Sequence, residues 1–544
     1  MVAFVLQIGI CRDIQHLLRE IFKAALVFLI CFCVYSPYGA YTNCTRCKKM
    51  KQTSYFLLVC EYIRTKIFSM VWDSATIMGT LYWLYCILAV LLMVRVMLKN
   101  RDTVKTLAWM MVLLFLPVLG LILYFFFGRD TRRAKLIGRR LLSQLKQRDH
   151  LYGNGGGVFE IPSEYQSLVS FFRNSALAHP LGADEVEVIA DTKIFASRLV
   201  GELERAENHI HIQFYIFEND EFGREVASVL AEKARQGVEV RLIYDSVGCW
   251  SVGKDFFEKM RCAGVYVESF LKVRFPLFTN KVNYRNHRKV VVIDGKVGFV
   301  GGCNIADRYV KGVEWGIWRD TMLLVRGAAV HGLQASFLVD WYFTNRSLVS
   351  GKRYFPHVVA GGCAVMQSVP SNPVGEIRTI MSGIIKLLSA AKGYVYLQTP
   401  YFMPNEPLLL ALKSAAVSGV DVRLMIPMHS DSFVADHISM SYIGNLLNVG
   451  VKVYLYTNGQ LHCKTIVCDD YVSSVGSANL DFRSFYYNFE INAFVYGKGI
   501  AQQLKQHFLE DVEKCHQMSL SEYRSRSFFH RCFESVARLF SPLL

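Results

Sequence analysis

Residues 286–304 read NHRKVVVIDGKVGFVGGCN, and residues 461–479 read LHCKTIVCDDYVSSVGSAN. Laid over one another, the two stretches place His287 with His462, Lys289 with Lys464, Asp294 with Asp469 and Asn304 with Asn479; Gly302 stands where the second copy has Ser477. The β-branched run after each Lys predicts a buried strand. Residues two apart on a strand share a face, so the His and Lys of each motif point the same way. The Asp falls on the opposite face and precedes Gly295 in one copy and Asp470 in the other, where a hairpin turn is expected. It therefore reads as a turn or framework residue first and a catalytic one second. The returning strand brings Asn304 or Asn479 back beside its His.

Working outward, each motif closes a longer repeat. FASRLVGELERAENHIHIQFYIFEND followed by EFGREVASVLAEKARQGVEVRLIYDSVG has the same order of helical and alternating patterns as IRTIMSGIIKLLSAAKGYVYLQTPYFMPN followed by EPLLLALKSAAVSGVDVRLMIPMHSD. The GVEVRL at 237 matches the GVDVRL at 419, Gln213 matches Gln398, and AGVYVESF at 263 matches VGVKVYLYT at 449. Strands alternating with helices of this length predict an α/β layered sheet in each half. One His-x-Lys-x4-Asp in 544 residues would carry little weight, but two at the same place in a repeat do. A satisfied core histidine, the ordinary reading of one His on a strand, does not account for the duplication.

Two imidazoles facing each other across a pseudo-dyad suit phosphodiester chemistry. One attacks phosphorus to form a phosphohistidine; the other protonates the leaving alkoxide and later deprotonates the acceptor. Lys289, Lys464, Asn304 and Asn479 would hold the non-bridging oxygens. The set requires no metal and no cofactor. Carboxylates to orient the imidazoles are sought downstream: Glu490 in the second half, and Glu314 or Asp320 in the first.

Charge and hydropathy set the context. Of the formal +16, residues 1–150 hold 21 basic and 7 acidic groups, or +14, whereas residues 151–544 hold 40 and 38, or +2. That N-terminal third also carries two uncharged runs, Ala75–Val94 and Thr106–Gly128, each long enough to cross a hydrocarbon core of roughly 30 Å as a helix. Pro117 and Gly120 are compatible with such a span, since neighbouring helices satisfy freed backbone groups. The loop between the runs has four Lys/Arg, while 129–150 has eight, which places the C-terminal part in the cytoplasm. The shorter apolar stretch Ala24–Tyr35 is ambiguous between a third span and a signal-like segment. The 15 scattered cysteines read as reduced thiols, and the lone Cys44/Cys47 pair lacks the partners of a zinc site.

The paired motifs resemble those of the phospholipase D superfamily, and their surroundings resemble the bacterial cardiolipin synthases: NYRNHRKVVVIDGKVGFVGGCNIADRY, WRD at 318–320, QTPYFMP at 398–404, HCKTIVCDD, GSANLDFRS, NFE at 488–490 and the apolar hairpin. The resemblance implies two α/β sandwich halves sharing one active site after a transmembrane hairpin. It implies transfer of a phosphatidyl group from one phosphatidylglycerol to another with release of glycerol, His287 as nucleophile and His462 as acid/base. Lys289, Lys464, Asn304, Asn479 and Ser477 would take the phosphate. The expected organisation is an extension at 1–70, or an upstream start with Met70 as the true beginning. The hairpin follows at 71–128, a basic linker at 129–165, the halves at 166–350 and 351–514, and an amphipathic tail at 515–544. The expected setting is a bacterial cell membrane, multi-pass, with phosphatidylglycerol and anionic lipid as partners and no nucleic acid. Lys272, Arg274, Lys281, Arg285 and Arg288 are read as a basic cluster that either attracts anionic head groups or forms a solvated face. A phospholipase D using water or another alcohol is the nearest rival, because acceptor choice rests on pocket shape. A nuclease is disfavoured by the +2 of the repeat, and a non-catalytic lipid scaffold by two intact motifs.

Overall fold

A computed structural model describes residues 74–99, 103–116, 118–124, 160–272, 283–358, 362–375 and 377–541. Residues 1–70, the Ala24–Tyr35 run, Cys44 and Cys47, the basic residues of 129–150, Arg274 and Lys281 lie outside the described residues. The chain divides into two units, Met1–Ile122 and Leu123–Leu544.

In the N-terminal unit the helix Ser74–Lys99 is followed by the helix Thr103–Phe115, and Tyr85 donates its hydroxyl to the Leu113 carbonyl at 2.5 Å. The second apolar run does not continue as one helix. It stops at Phe115 and resumes as the short helix Leu119–Leu123, with Val118 at φ 64° between them. Pro117 explains the break: it has no N–H to donate, and its ring disfavours helical geometry in the residue before it. Among the described residues no helix is long and apolar enough to cross a membrane.

The larger unit is built on two sheets with the same strand order. The first runs Glu185–Ile189, Met322–Arg326, Val297–Gly301, Val290–Ile293, His209–Phe214, Glu239–Asp245, Tyr266–Phe270. In the second, Ala364–Ser371, Glu490–Tyr496, Val472–Gly476, Thr465–Cys468, Tyr394–Gln398, Asp421–Pro427 and Lys452–Tyr456 take the corresponding places. The parallel neighbours His209–Phe214 and Glu239–Asp245 are joined by the helix Glu221–Arg235, whose first turn is capped by the Asp220 carboxylate. Asn405 caps the matching helix Glu406–Val417. The matched GVEVRL and GVDVRL segments begin at Gly237 and Gly419, at φ 91° and 92°, a left-handed conformation that glycine adopts without steric cost.

Each motif strand is buried throughout because both of its faces are covered. Val291 and Ile293 pack against the outer helices, whereas Val290 and Val292 join Val467, Val475, Ile491 and Val495 in a core between the sheets. The buried strands thus show the expected alternation, with apolar partners on either side.

Two segments depart from the order in the sequence. The helix Ser163–Ala176 packs into the core of the second half, and Leu181–Ala183 adds to the second sheet by pairing antiparallel with Ala364–Met366. Residues before Glu185, part of them expected in the first half, are thus built into the second. At the other edge Cys515–Met518 pairs antiparallel with Val453–Tyr456, so the tail begins as a strand before the helices Leu520–Ser525 and Phe528–Arg538.

The two motif aspartates are the turn residues. Asp294 and Gly295 lie at φ 54° and 67°, and Asp469 and Asp470 at 50° and 53°, the left-handed pair that a tight hairpin requires. The Asp294 carboxylate accepts the backbone N–H groups of Glu207, Asn208 and His209 at 2.7–2.9 Å, and Asp469 accepts those of Lys392, Gly393 and Tyr394, each at 2.8 Å. Each carboxylate therefore ties the motif hairpin to the start of the neighbouring strand, at the far end from its His. At about 3.3 Å per residue that separation is on the order of 20 Å, which corrects the catalytic expectation for both aspartates. Replacing Asp294 or Asp469 by Ala should lower the thermal midpoint, at a cost of about 1–3 kcal/mol per site. Turnover of the folded fraction should stay unchanged, read by scanning fluorimetry alongside an activity assay.

Candidate active site

The two halves are joined where their motifs begin. Asn286 bridges in parallel to Phe489, with the His287 N–H on the Phe489 carbonyl at 2.9 Å and the Phe489 N–H on the Arg285 carbonyl at 2.8 Å. In the mirror arrangement Gly459–Leu461 pairs in parallel with Ile317–Arg319, and the His462 N–H reaches the Arg319 carbonyl at 2.7 Å. Each histidine is therefore laid beside the residue that follows the partner strand, Glu490 or Asp320.

The consequence is an exchange of carboxylates. His287, in the first half, has Nδ1 3.1 Å from Glu490 of the second half; His462, in the second, has Nδ1 2.6 Å from Asp320 of the first. With Nδ1 taken up, Nε2 is the free nitrogen of each ring. Of the two first-half candidates, Asp320 is the one that reaches a histidine. Glu314 is exposed on the turn closed by Val313 and Gly316.

The one mismatch between the motifs has a steric reason. A Cβ at Gly302 would lie 2.1 Å from Asp320 Oδ1, so only glycine leaves room for that carboxylate. In the second half Ser477 occupies this place and donates its hydroxyl to Glu490 at 2.5 Å, while its carbonyl lies 3.1 Å from His287 Nδ1. The Ser477 hydroxyl, expected on phosphate, is thus a support for Glu490.

Both lysines lie under the histidines. Lys289 donates to the His287 carbonyl at 2.6 Å, and Lys464 donates to the His462 carbonyl and lies 3.0 Å from His462 Nδ1. The two asparagines are already engaged. Asn304 accepts the Ile216 N–H at 3.1 Å and donates to the Tyr309 hydroxyl; Asn479 donates to Asp481 at 3.0 Å.

Burial dominates the electrostatics. It pushes His462 down to about 4, a shift that the Lys464 ammonium reinforces and Asp320 opposes, and it lowers His287 against the pull of Glu490. Burial also brings Lys289 down to about 7 and lowers Lys464. For Asp320 and Glu490 burial acts upward, but it is outweighed by Lys464 and His462 on the first and by His287 and Lys289 on the second, so both stay low. Glu490 acts on both lysines, as does Asp320, which places the two motifs in one field. Two ammoniums against two carboxylates leave the site near neutral while the histidines are uncharged. An anion entering the site would favour the protonated form of both lysines.

Several supporting residues carry no motif. Tyr215 lies edge-on to His287 at 4.9 Å, and Tyr309 and Trp318 flank His462 at 5.7 and 5.2 Å. Asp340 takes Gln213 at 2.7 Å, Arg288 at 2.6 Å and Asn286 at 3.2 Å, gripping both neighbours of His287. Asp511, its counterpart in the repeat, takes Gln398 at 3.0 Å and Arg319 at 2.9 Å. The Gln213–Gln398 match was the sequence signal for this pair. Of the expected basic cluster, Arg285 and Arg288 are instead buried in ion pairs with Asp245 at 3.2 Å and Asp340; a buried guanidinium is stable only when so paired. Lys272 is exposed. Among the described residues no group of three or more His, Cys, Asp or Glu is placed to hold a metal ion.

Comparison with known proteins bears on the family of the chain. A family described as "Cardiolipin synthase, PLD-like domain" matches residues 199–341 and 384–512, and one described as "Phospholipase_D-nuclease N-terminal" matches 83–129. The chain is 40% identical over 485 residues to the "Major cardiolipin synthase ClsA" of Bacillus subtilis, covering 86% of this chain and all of that one. It is 39% identical over 487 residues to a cardiolipin synthase of Listeria innocua, with the same coverage. Among solved structures, the phosphatidylserine synthase of Haemophilus influenzae superposes with a TM-score of 0.52 at 14% identity, over 70% of this chain and 98% of that one, a likeness of fold.

The depressed histidine predicts an acid limb of stability. The unfolded chain takes up a proton on His462 near pH 6.5 and the folded chain only near 4, so the unfolded state binds more protons between those values. Stability is fully retained above pH 6.5 and falls as pH drops toward 4. Thermal midpoints measured across pH 4–7 should fall less steeply for His462→Gln than for the parent protein.

Proposed function

The chain belongs to the cardiolipin synthases with phospholipase D-like domains, and on that premise we propose how its paired motifs act as a phosphatidyltransferase. It transfers a phosphatidyl group from one phosphatidylglycerol to a second, giving cardiolipin and glycerol. The observation that carries the mechanism is the exchange of carboxylates, which leaves two Nε2 atoms free for work on one phosphorus.

His287 Nε2 attacks the phosphorus of the first lipid. As the anionic phosphodiester enters and offsets the Lys464 ammonium, His462 takes up a proton from solvent at Nε2; the P–N bond then forms as the bond from phosphorus to the glycerol oxygen breaks, and His462 passes that proton to the oxygen so that glycerol leaves. His462, now neutral, takes the proton from a hydroxyl of the second phosphatidylglycerol. That oxygen attacks the phosphohistidine, breaking P–N and restoring His287. Lys289 and Lys464 balance the charge on the non-bridging oxygens in each passage. Asp320 stabilises the imidazolium form of His462, and Glu490 holds His287 in the tautomer that presents Nε2. Asn304 and Asn479 each give one Nδ2 hydrogen to Tyr309 or Asp481 and keep a second for phosphate.

The apolar runs at 75–94 and 106–128 hold the enzyme in a bacterial cell membrane, and the basic residues of 129–150 keep the catalytic halves on the cytoplasmic side. The ligand is anionic lipid and not nucleic acid, in keeping with a charge of only +2 over residues 151–544. Water or another alcohol as acceptor is the rival reaction. Purified protein in phosphatidylglycerol vesicles should yield cardiolipin and glycerol by mass spectrometry; phosphatidic acid without cardiolipin would overturn the assignment. His462→Ala should lower turnover by roughly 10²–10⁴-fold and accumulate a phosphatidyl adduct on His287. An adduct on His462 in a His287→Ala protein would reverse the two roles.

A further inference from the structure

We propose that the tail helix Phe528–Arg538, with the start of the helix Phe433–Leu447, forms a docking face that seats the larger unit on an anionic bilayer. The proposal rests on the lipid-transferase reading and adds the surface through which the lipid arrives.

The tail helix is turned inside out. At about 100° per residue, Phe528, Phe529, Cys532, Phe533 and Val536 share one side, and Glu534, Ala537 and Arg538 lie on the other. A helix on a globular core buries its apolar side, but here the polar side is the one that docks. Glu534 is buried and accepts Arg526 Nη2 at 3.0 Å, Ala537 is buried, and the Arg538 guanidinium lies 4.3 Å from the centre of the Tyr442 ring. Phe528 and Phe529 are 70% and 80% exposed. Leu539 and Phe540 extend the same exposed side. The orientation is held at both ends, by Ser527 capping the first turn and by the Tyr442 hydroxyl on Ser541 at 3.3 Å.

The face continues onto the neighbouring helix. Phe533 packs 6.0 Å from Phe433, which is itself 67% exposed and followed by exposed Val434. Phe433, Phe528, Phe529, Phe533, Val536, Leu539 and Phe540 are each 45–80% exposed, and clustered apolar exposure of this kind marks a protein or membrane interaction site. The face also borders the chemistry. Ser432 caps this second helix, and the preceding Asp431 accepts the Tyr401 hydroxyl and acts electrostatically on His462 and Arg308.

Charge selects the occupant. Arg524, His530 and Arg531 are exposed around the face, and the one acid of the tail helix, Glu534, is spent on Arg526. Two copies meeting through this face would oppose like charges, whereas anionic head groups above an apolar layer match both features.

The test uses the full chain in proteoliposomes, comparing the parent with a Phe528→Ser/Phe529→Ser variant. In phosphatidylglycerol vesicles, amide exchange over 528–538 should be slower than in phosphatidylcholine vesicles, and the variant should lose that protection. The transfer rate on vesicle lipid should fall by about tenfold, while the rate on a short-chain phosphatidylglycerol below its critical micelle concentration stays unchanged. Equal exchange and equal vesicle rates in parent and variant would overturn the proposal. So would a dimer in detergent that the variant dissolves, since it would assign the face to a second copy. Absence of cardiolipin from parent and variant in both assays would defeat the transferase reading, and the exchange measurement would still decide this face.

Discussion

The site depends on the parallel pairing of the strand end before each histidine with the strand end before the opposite half's carboxylate. His287 is oriented by Glu490 and His462 by Asp320 because backbone hydrogen bonds to Phe489 and Arg319 set the register. Neither half holds a complete histidine–carboxylate pair of its own. A shift of one residue in either pairing would turn the acid to the other face of its strand and leave an imidazole with no fixed tautomer. The ion pairs of Asp340 and Asp511 make sense in this light, since they clamp the segments that enter the pairing: Asn286 and Arg288 in one case, Arg319 in the other.

Burial gives the constellation its reactivity and also its cost. Six ionisable side chains occupy a space where water is largely excluded, and each would be expensive there alone. They are tolerated because lysines and carboxylates alternate across the pseudo-dyad and offset one another, leaving the histidines neutral and the lysines poised for an anion. Gly302 and Ser477 show how closely the shell is fitted. Asp320 needs the space that a side chain would fill, and the longer Glu490 needs a hydroxyl to steady it. Two halves of common pattern have thus reached the same chemistry with different supports.

Much of this could be read along the chain. The repeat, the alternation of strands and helices, and the pairing of His287 with His462 and of Lys289 with Lys464 all follow from local pattern, because strand period and turn chemistry are local properties. So does the framework role of Asp294 and Asp469, since a left-handed turn just past a buried strand leaves the carboxylate free to bind backbone N–H groups. The apolar hairpin was legible as hydropathy, but its second run divides into the helices Thr103–Phe115 and Leu119–Leu123.

What the amino-acid order determined by itself is the inventory: two motifs, one fold repeated, and a basic, apolar leader to an almost neutral catalytic region. Only the tertiary structure decided which carboxylate serves which histidine, because that choice lies in strand pairs more than 140 residues apart. For the same reason Arg285 and Arg288 looked like a surface cluster and proved to be buried partners of Asp245 and Asp340, and Ser163–Ala183 was built into the far half. Periodicity shows which face of an element is apolar. What that face meets, a core, the opposite half or a bilayer, is settled by the elements that close around it.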